Sequence, residues 1–174
     1  MKRVIYFWNR LYYGMFDCNR RTDVFLYKYV HLITRSLYNF LHKTKMEKRR
    51  DKTIFNNAIN ALSDPILSSS STITDIQIFT FTALLTWTSI NFMSILIPDV
   101  SLVGVDKITF FIISVIPGLT INYFFIWRKN KYLEYFELFQ KSSKKQNTIW
   151  CITSMICFVL AWVLFIFSLC IAYP

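Results

Sequence analysis

The sequence predicts an all-α membrane protein with an N-terminal cytoplasmic helical domain and three transmembrane helices. Of its 174 residues, 54% are hydrophobic and only 17% are charged, and the mean hydropathy is +0.35. A soluble domain of this length carries more charge and less apolar surface. Three long uncharged stretches follow one another from residue 76 onwards, and Lys and Arg alternate between their flanks. This size and composition exclude a large multidomain enzyme.

The three uncharged stretches are residues 76–97, 108–127 and 148–173. Each is long enough to cross a hydrocarbon core about 30 Å thick, because a helix rises about 1.5 Å per residue. The third is the most apolar, and aromatic residues near its ends favour the membrane–water boundary, so we expect it to face lipid. We therefore divide the chain into a basic helical domain over residues 1–75 and a transmembrane domain over residues 76–174.

The distribution of positive charge predicts the orientation, because cytoplasmic flanks of membrane helices retain Lys and Arg. Thirteen of the 20 Lys and Arg residues precede Asp75, one lies in the connector 98–107, six lie between residues 128 and 145, and none follows. We expect a multi-pass protein of the cell inner membrane with its N-terminus in the cytoplasm and its C-terminus outside. The formal charge of +10 also predicts an anionic partner, such as the surface of the lipid bilayer.

Three helical stretches are predicted before the spans, over about residues 2–17, 22–43 and 53–63, with polar and basic joints between them. The first has a broad aromatic and aliphatic arc opposite Asn9, Arg10 and Asp17. Such a helix can lie on an anionic membrane surface, or it can pack its aromatic face against neighbouring helices or another subunit.

The second stretch has an apolar side and a polar stripe. At helical spacing, His31, Arg35, Tyr38 and His42 fall on one side, with Asn39 beside them. Arg35 and His42 form an Arg-x6-His pattern, which places a guanidinium that is always charged and a titratable imidazole about two turns apart on one face. The stripe is either a solvated or subunit-contacting face, or a surface that handles RNA or another ligand.

The pattern of Arg35 and His42 resembles the Arg-x(4 to 6)-His signature of HEPN ribonucleases. That family joins Arg and His from two protomers in a metal-independent RNA-cleaving site, although the spacing here is wider than the Arg-x4-His form. A short basic chain that combines such a motif with several spans also resembles the small membrane accessory proteins of type VI-B CRISPR systems. This resemblance implies antiviral defence, with self-association and with RNA or the RNA-guided RNase of the system as partners.

Uncharged polar residues recur within the first two predicted spans. Four of them, Gln77, Thr80, Thr88 and Asn91, fall on one stripe of the first span, and Ser114 and Asn122 align in the second. These residues are expected either to hydrogen-bond between helices or to line a hydrated pore formed by several copies.

No cofactor or metal is predicted. The glycines are isolated, so a phosphate-binding loop is absent from the sequence. We expect the acidic residues, Asp75 among them, to lie in linkers. The four cysteines show no Cys-x-x-Cys spacing, and we expect neither a zinc site nor a disulfide framework. The connector after the second span is expected to form a short amphipathic helix.

Three functions are compatible with the sequence. The leading hypothesis is a homo-oligomeric inner-membrane pore or membrane-perturbing effector, which depolarises the membrane and enhances antiviral CRISPR defence. The second is a membrane-anchored HEPN-like RNase, and the third is a non-enzymatic small subunit of a membrane assembly. Three spans are too few to enclose a channel, so the first hypothesis requires several copies of the chain.

Overall fold

The computed structural model describes residues 2–41, 45–64, 66, 68–97 and 106–172, and the regular structure in these ranges is entirely helical. The chain contains six α-helices in the described ranges: α1 Lys2–Leu41, α2 Lys45–Leu62, α3 Ser69–Leu96, α4 Lys107–Asn122, α5 Lys131–Gln140 and α6 Lys144–Ala172. A π-helical turn over Tyr123–Trp127 and a 3₁₀ turn over Arg128–Asn130 connect α4 to α5.

Among the residues that the structure describes, three helical stretches are long and apolar enough to cross a membrane, in agreement with the three predicted. They are Ser69–Leu96, Phe111–Gln140 and Lys144–Ala172. α3 begins earlier than the predicted residue 76, because the Ser68 hydroxyl accepts a hydrogen bond from the backbone N–H of Ser71 and caps the helix. Only 11% of the most apolar part of α6 is buried, against 39% for α3, as expected for a span that faces lipid.

The helices before the spans differ from the prediction. α1 is one continuous helix of 40 residues, whereas the sequence predicted separate helices over 2–17 and 22–43. The polar residues around Asp17, which we interpreted as a joint between two helices, are compatible with one helix. Asp17 forms ion pairs with Arg20 and Arg21 one turn later, both at 2.6 Å. α2 begins at Lys45, inside the basic run, rather than at residue 53.

Two sharp features flank α4 and the π-helical turn that follows it. Asp106 caps α4, and hydrogen bonds from Thr109 and then from the N–H of Ile108 lower the pKa of its carboxyl. At the other end, Lys129 and Asn130 adopt left-handed conformations, with φ of 59° and 52°, and redirect the chain into α5. The predicted connector helix is confirmed by α5, which packs against α1.

The first half of α1 lies at the centre of the helix bundle. Residues 9–17 are buried without interruption, which requires neighbours on every side of the helix. α1 runs antiparallel to α3, since Trp8 contacts Phe81 while Asp23 accepts hydrogen bonds from Ser69 and Ser70. These contacts cross the predicted boundary at residue 75, which falls inside α3. The cytoplasmic placement of the residues before that boundary stays a prediction.

Candidate functional site

Arg10 is the most unusual buried residue of the bundle. Its side chain is fully buried, and its Nη2 donates to Asn147 Oδ1 at 2.9 Å. The guanidinium also lies over three aromatic rings, with Cζ 4.4 Å from the centroid of Phe139 and 5.6 Å from those of Tyr13 and Trp150. Its Nε and Nη1 lack hydrogen-bond partners in the described structure. A buried cation with unmet donors is costly, which makes Arg10 the candidate functional residue of the bundle.

A second polar contact joins α1 to the end of α4. Asn122 Oδ1 accepts a hydrogen bond from Trp8 Nε1 at 3.1 Å, and Asn122 Nδ2 donates to Thr82 Oγ1 at 3.1 Å. Asn9 donates from Nδ2 to the carbonyl oxygen of Phe125 at 2.8 Å, where the π-helical turn replaces the regular helix. Trp8 and Asn9 of α1 thus form hydrogen bonds with polar groups at the end of the second predicted span.

Carboxylates at the edge of this core also join helices. Asp75 Oδ1 accepts from the Tyr12 hydroxyl at 2.7 Å and from Trp127 Nε1 at 3.1 Å, so one carboxylate contacts α1 and the end of the second span. This corrects the expectation that Asp75 belongs to a linker. Asp17 is also buried, which corrects the prediction that the side of α1 bearing Asn9, Arg10 and Asp17 faces away from the packed helices. Those residues find their partners on other helices or in the next turn.

The predicted polar stripes lie largely between helices of one chain. Asn91 is fully buried and donates from Nδ2 to Ser168 Oγ of α6 at 3.0 Å, and Gln77 Oε1 accepts from Asn19 Nδ2 of α1 at 2.8 Å. Thr88 is buried and Thr80 is half-buried. Ser114 belongs to α4, but its side chain is outside the described part. The geometry of Asn91, Gln77 and Asn122 is that of interhelical hydrogen bonds within a subunit.

The residues of the HEPN-like pattern are described only in part. Arg35, Tyr38 and Asn39 belong to α1, with side chains outside the described part, and His42 lies outside the described residues altogether. His31 packs against Phe55 of α2, with 4.5 Å between ring centroids, so α2 covers this end of the polar stripe. A joint arrangement of Arg35 and His42 therefore stays a prediction.

A disulfide between Cys18 and Cys151 joins α1 to α6, with Cα atoms 5.3 Å apart. The sequence suggested no disulfide framework, and it gave no indication of this single pair. The two residues are 133 positions apart, and only the packing of the two helices brings them together. Cys157 and Cys170 are free, which fits their expected role as small apolar residues of α6.

The redox state of this pair should depend on the compartment. If the N-terminus is cytoplasmic, both thiols meet a reducing environment, and we expect them to be free in growing cells and joined after purification in air. Acid quenching followed by alkylation and intact mass measurement counts the free thiols, with Cys157 and Cys170 as internal references. A disulfide already present in quenched cells would contradict the N-inside orientation.

Sequence analysis missed Trp8, Arg10 and the cysteine pair as parts of a site. The available signal was the pair Asn9–Arg10 inside a strongly aromatic helix, because adjacent polar residues in such a helix need partners when every face is buried. Their partners in the π-helical turn and in α6 are more than a hundred residues away, so local periodicity could not reveal them.

The arrangement can hold charge and hydrogen-bonding groups inside the bundle. No group of three or more His, Cys, Asp or Glu side chains capable of holding a metal occurs among the described residues. The chain matches no family model, no curated protein and no solved structure at a significant level.

Proposed function

We propose that the chain is a homo-oligomeric inner-membrane effector that depolarises the membrane in response to a signal received at its cytoplasmic side. The observation that carries this proposal is the continuity of α1, one helix from Lys2 to Leu41. Its first half contacts α3, α5 and α6, while its second half carries exposed residues such as Tyr29, Val30 and Leu32. A displacement of the exposed half is transmitted to the interior of the bundle, because an unbroken helix is stiff on this scale.

The groups that α1 covers explain how such a displacement opens a path for ions. At rest, Arg10, Asn122 and Asn147 are bonded within the subunit, and the polar groups of the spans offer little to water. Withdrawal of α1 would break both contacts together, because Trp8 is the partner of Asn122 and Arg10 is the partner of Asn147. Released polar groups near the inner boundary of the spans favour water entry, and several copies around an axis would enclose the path.

The resemblance to type VI-B CRISPR accessory proteins supplies the biological setting of this proposal. In that setting the partners are further copies of the chain, the anionic bilayer, and RNA or the RNA-guided RNase that generates the signal. The basic character of the segment before Asp75, with thirteen Lys and Arg residues, supports an anionic ligand at the receiving end.

Breaking α1 between its two halves tests the proposal. Lys28 lies more than one helical turn beyond Asp23, which bonds to the start of α3, and Lys28→Pro removes a helical hydrogen bond and clashes with the carbonyl of Val24. We expect this variant to insert normally but to lose signal-dependent depolarisation, measured with a potential-sensitive dye in cells. Lys28→Ala preserves the helix and is the matched control. Full depolarisation by Lys28→Pro, or none by the activated wild-type chain, would reject the proposal.

The orientation has its own test. In a variant without native cysteines, a cysteine introduced at Val103 should react with a membrane-impermeant reagent added to intact cells, whereas one introduced at Ser143 should not. Both sites become reactive after the cells are opened, which controls for intrinsic accessibility. Labelling of the Ser143 probe in intact cells would overturn the N-inside arrangement of three spans.

A further inference from the structure

An open cavity of about 540 Å³ lies where α1 meets the start of α6. Its walls include Arg20 and Arg21 of α1, Lys144 of α6, the carboxylate of Asp17, and the amide of Asn147. The three cations against one carboxylate leave a net charge of about +2 in a space of this size. A cavity with this charge favours an anionic ligand.

Asp17 holds the two arginines in place rather than cancelling the cavity's charge. Its Oδ1 contacts Arg20 Nη2 and its Oδ2 contacts Arg21 Nη2, each at 2.6 Å. Arg21 also donates from Nη1 to Thr148 Oγ1 at 2.8 Å. Each guanidinium has five N–H donors, and both side chains are more than a third exposed, so some donors are not used by these contacts and remain accessible. Two arginines fixed in this way are suited to phosphate oxygens.

The wall behind the cavity adds to its positive potential. Asn147 Oδ1 accepts from Arg10, and Asn147 Nδ2 donates to the carbonyl oxygen of Phe139 at 3.2 Å, so this amide is fixed by the core. Arg10 is fully buried with two unpartnered nitrogens, and its charge lies one side chain away from the cavity. The N-terminal end of α6, which begins at Lys144, contributes the positive end of its helix dipole.

The position of the cavity identifies the source of the phosphate. Lys144 and Asn147 come directly before the uncharged stretch that starts at Thr148, so the cavity opens at the cytoplasmic membrane–water boundary. Headgroup phosphates lie at that depth, and basic pockets between membrane helices bind them. We propose that this cavity binds the phosphate group of an anionic phospholipid and thereby links α1 to α6. The proposal requires the chain to lie in a membrane but is independent of any pore.

Lys144 and Lys145 provide a matched pair for the test. Both stand in the first turn of α6 and both are exposed, but only Lys144 lines the cavity. The purified full-length chain in detergent is titrated with phosphatidylglycerol, phosphatidylcholine and inorganic phosphate, and binding is followed by native mass spectrometry. We expect phosphatidylglycerol to bind the wild type and Lys145→Gln equally, and to bind Lys144→Gln about tenfold more weakly, as for one lost charge-assisted hydrogen bond.

A second variant keeps the result interpretable. Arg20→Gln leaves the Arg21–Asp17 ion pair intact and should also weaken phosphatidylglycerol binding by about tenfold. Equal lipid affinities for Lys144→Gln and Lys145→Gln would overturn the site. Binding of inorganic phosphate that is lost in Lys144→Gln, without any preference for phosphatidylglycerol over phosphatidylcholine, would overturn the lipid as its source.

Discussion

Replacing Gly14 by alanine should separate α1 from α6 and destabilise the bundle by about 3 kcal/mol, the upper part of the range for overpacked cores. A Cβ atom at this position would overlap the Ser154 hydroxyl and would lie 2.6 Å from the backbone oxygen of Trp150. A hydroxyl can rotate, but the backbone of a membrane-spanning helix can move only if the helices part. In a solvent-exposed helix, replacing glycine by alanine would stabilise the folded protein by about 1 kcal/mol. The packing of α1 against α6 therefore decides whether the change stabilises or destabilises the bundle.

The prediction for Gly14 has an internal control and two readouts. A Cβ at Gly118 of α4 would meet only the edge of the Phe79 ring, at 3.0 Å, and that ring can turn aside. Gly118→Ala should therefore change the melting temperature in detergent little, whereas Gly14→Ala should lower it markedly. Gly14→Ala should also reduce oxidative joining of Cys18 to Cys151. Equal melting temperatures for the two variants would contradict the close approach of α1 and α6.

Replacing Arg10 by methionine should weaken signal-dependent depolarisation, because it removes the only charged group among those that α1 holds inside the bundle at rest in our proposal, while changing the stability of the bundle little. Methionine retains the long apolar stem and removes a buried charge, which favours the folded state. It also leaves Asn147 Oδ1 without its donor, at a cost of about 1–3 kcal/mol. The two effects oppose each other, so we expect a net change within about 2 kcal/mol.

A lysine at position 10 distinguishes charge from geometry. Arg10→Lys keeps the positive charge but cannot place a planar fork over Phe139 while reaching Asn147. We expect it to restore part of the depolarisation that Arg10→Met loses, measured with the potential-sensitive dye beside a detergent melting curve. Wild-type depolarisation by Arg10→Met would show that the buried charge has no part in function. A collapse of its melting temperature would assign Arg10 to stability alone.

The spans were predictable from the sequence because their signal is local. An uncharged stretch of sufficient length is visible without knowing its neighbours, and so is the amphipathic pattern that became α5. The site was not predictable in this way. Arg10 and Asp17 lie on one side of a helix with an aromatic opposite side, and that pattern indicates a half-exposed helix. It becomes a buried helix only because Asn147 and other distant groups supply polar partners.

The extra length of α1 had a different cause. Local polarity around Asp17 indicated a joint, and nothing in the composition showed that Arg20 and Arg21 would neutralise it within the helix. The disulfide was equally hidden, since Cys18 and Cys151 share no spacing pattern. Arg35 and His42 differ from these cases, because the pattern is visible in the sequence while its geometry lies outside the described part.

The central position of α1 also constrains how the protein is made. α1 is synthesised well before α6, since the Leu11 carbonyl accepts its hydrogen bond from Ser154, 143 residues later. At synthesis rates of about 5–20 residues per second, that separation corresponds to roughly 7–30 s. During this interval the aromatic side chains around Leu11 have no partners from α6, and they are available to chaperones, proteases or the membrane surface. α6 therefore completes the core around α1 only after this interval, and a ribosomal stall before α6 leaves that core open.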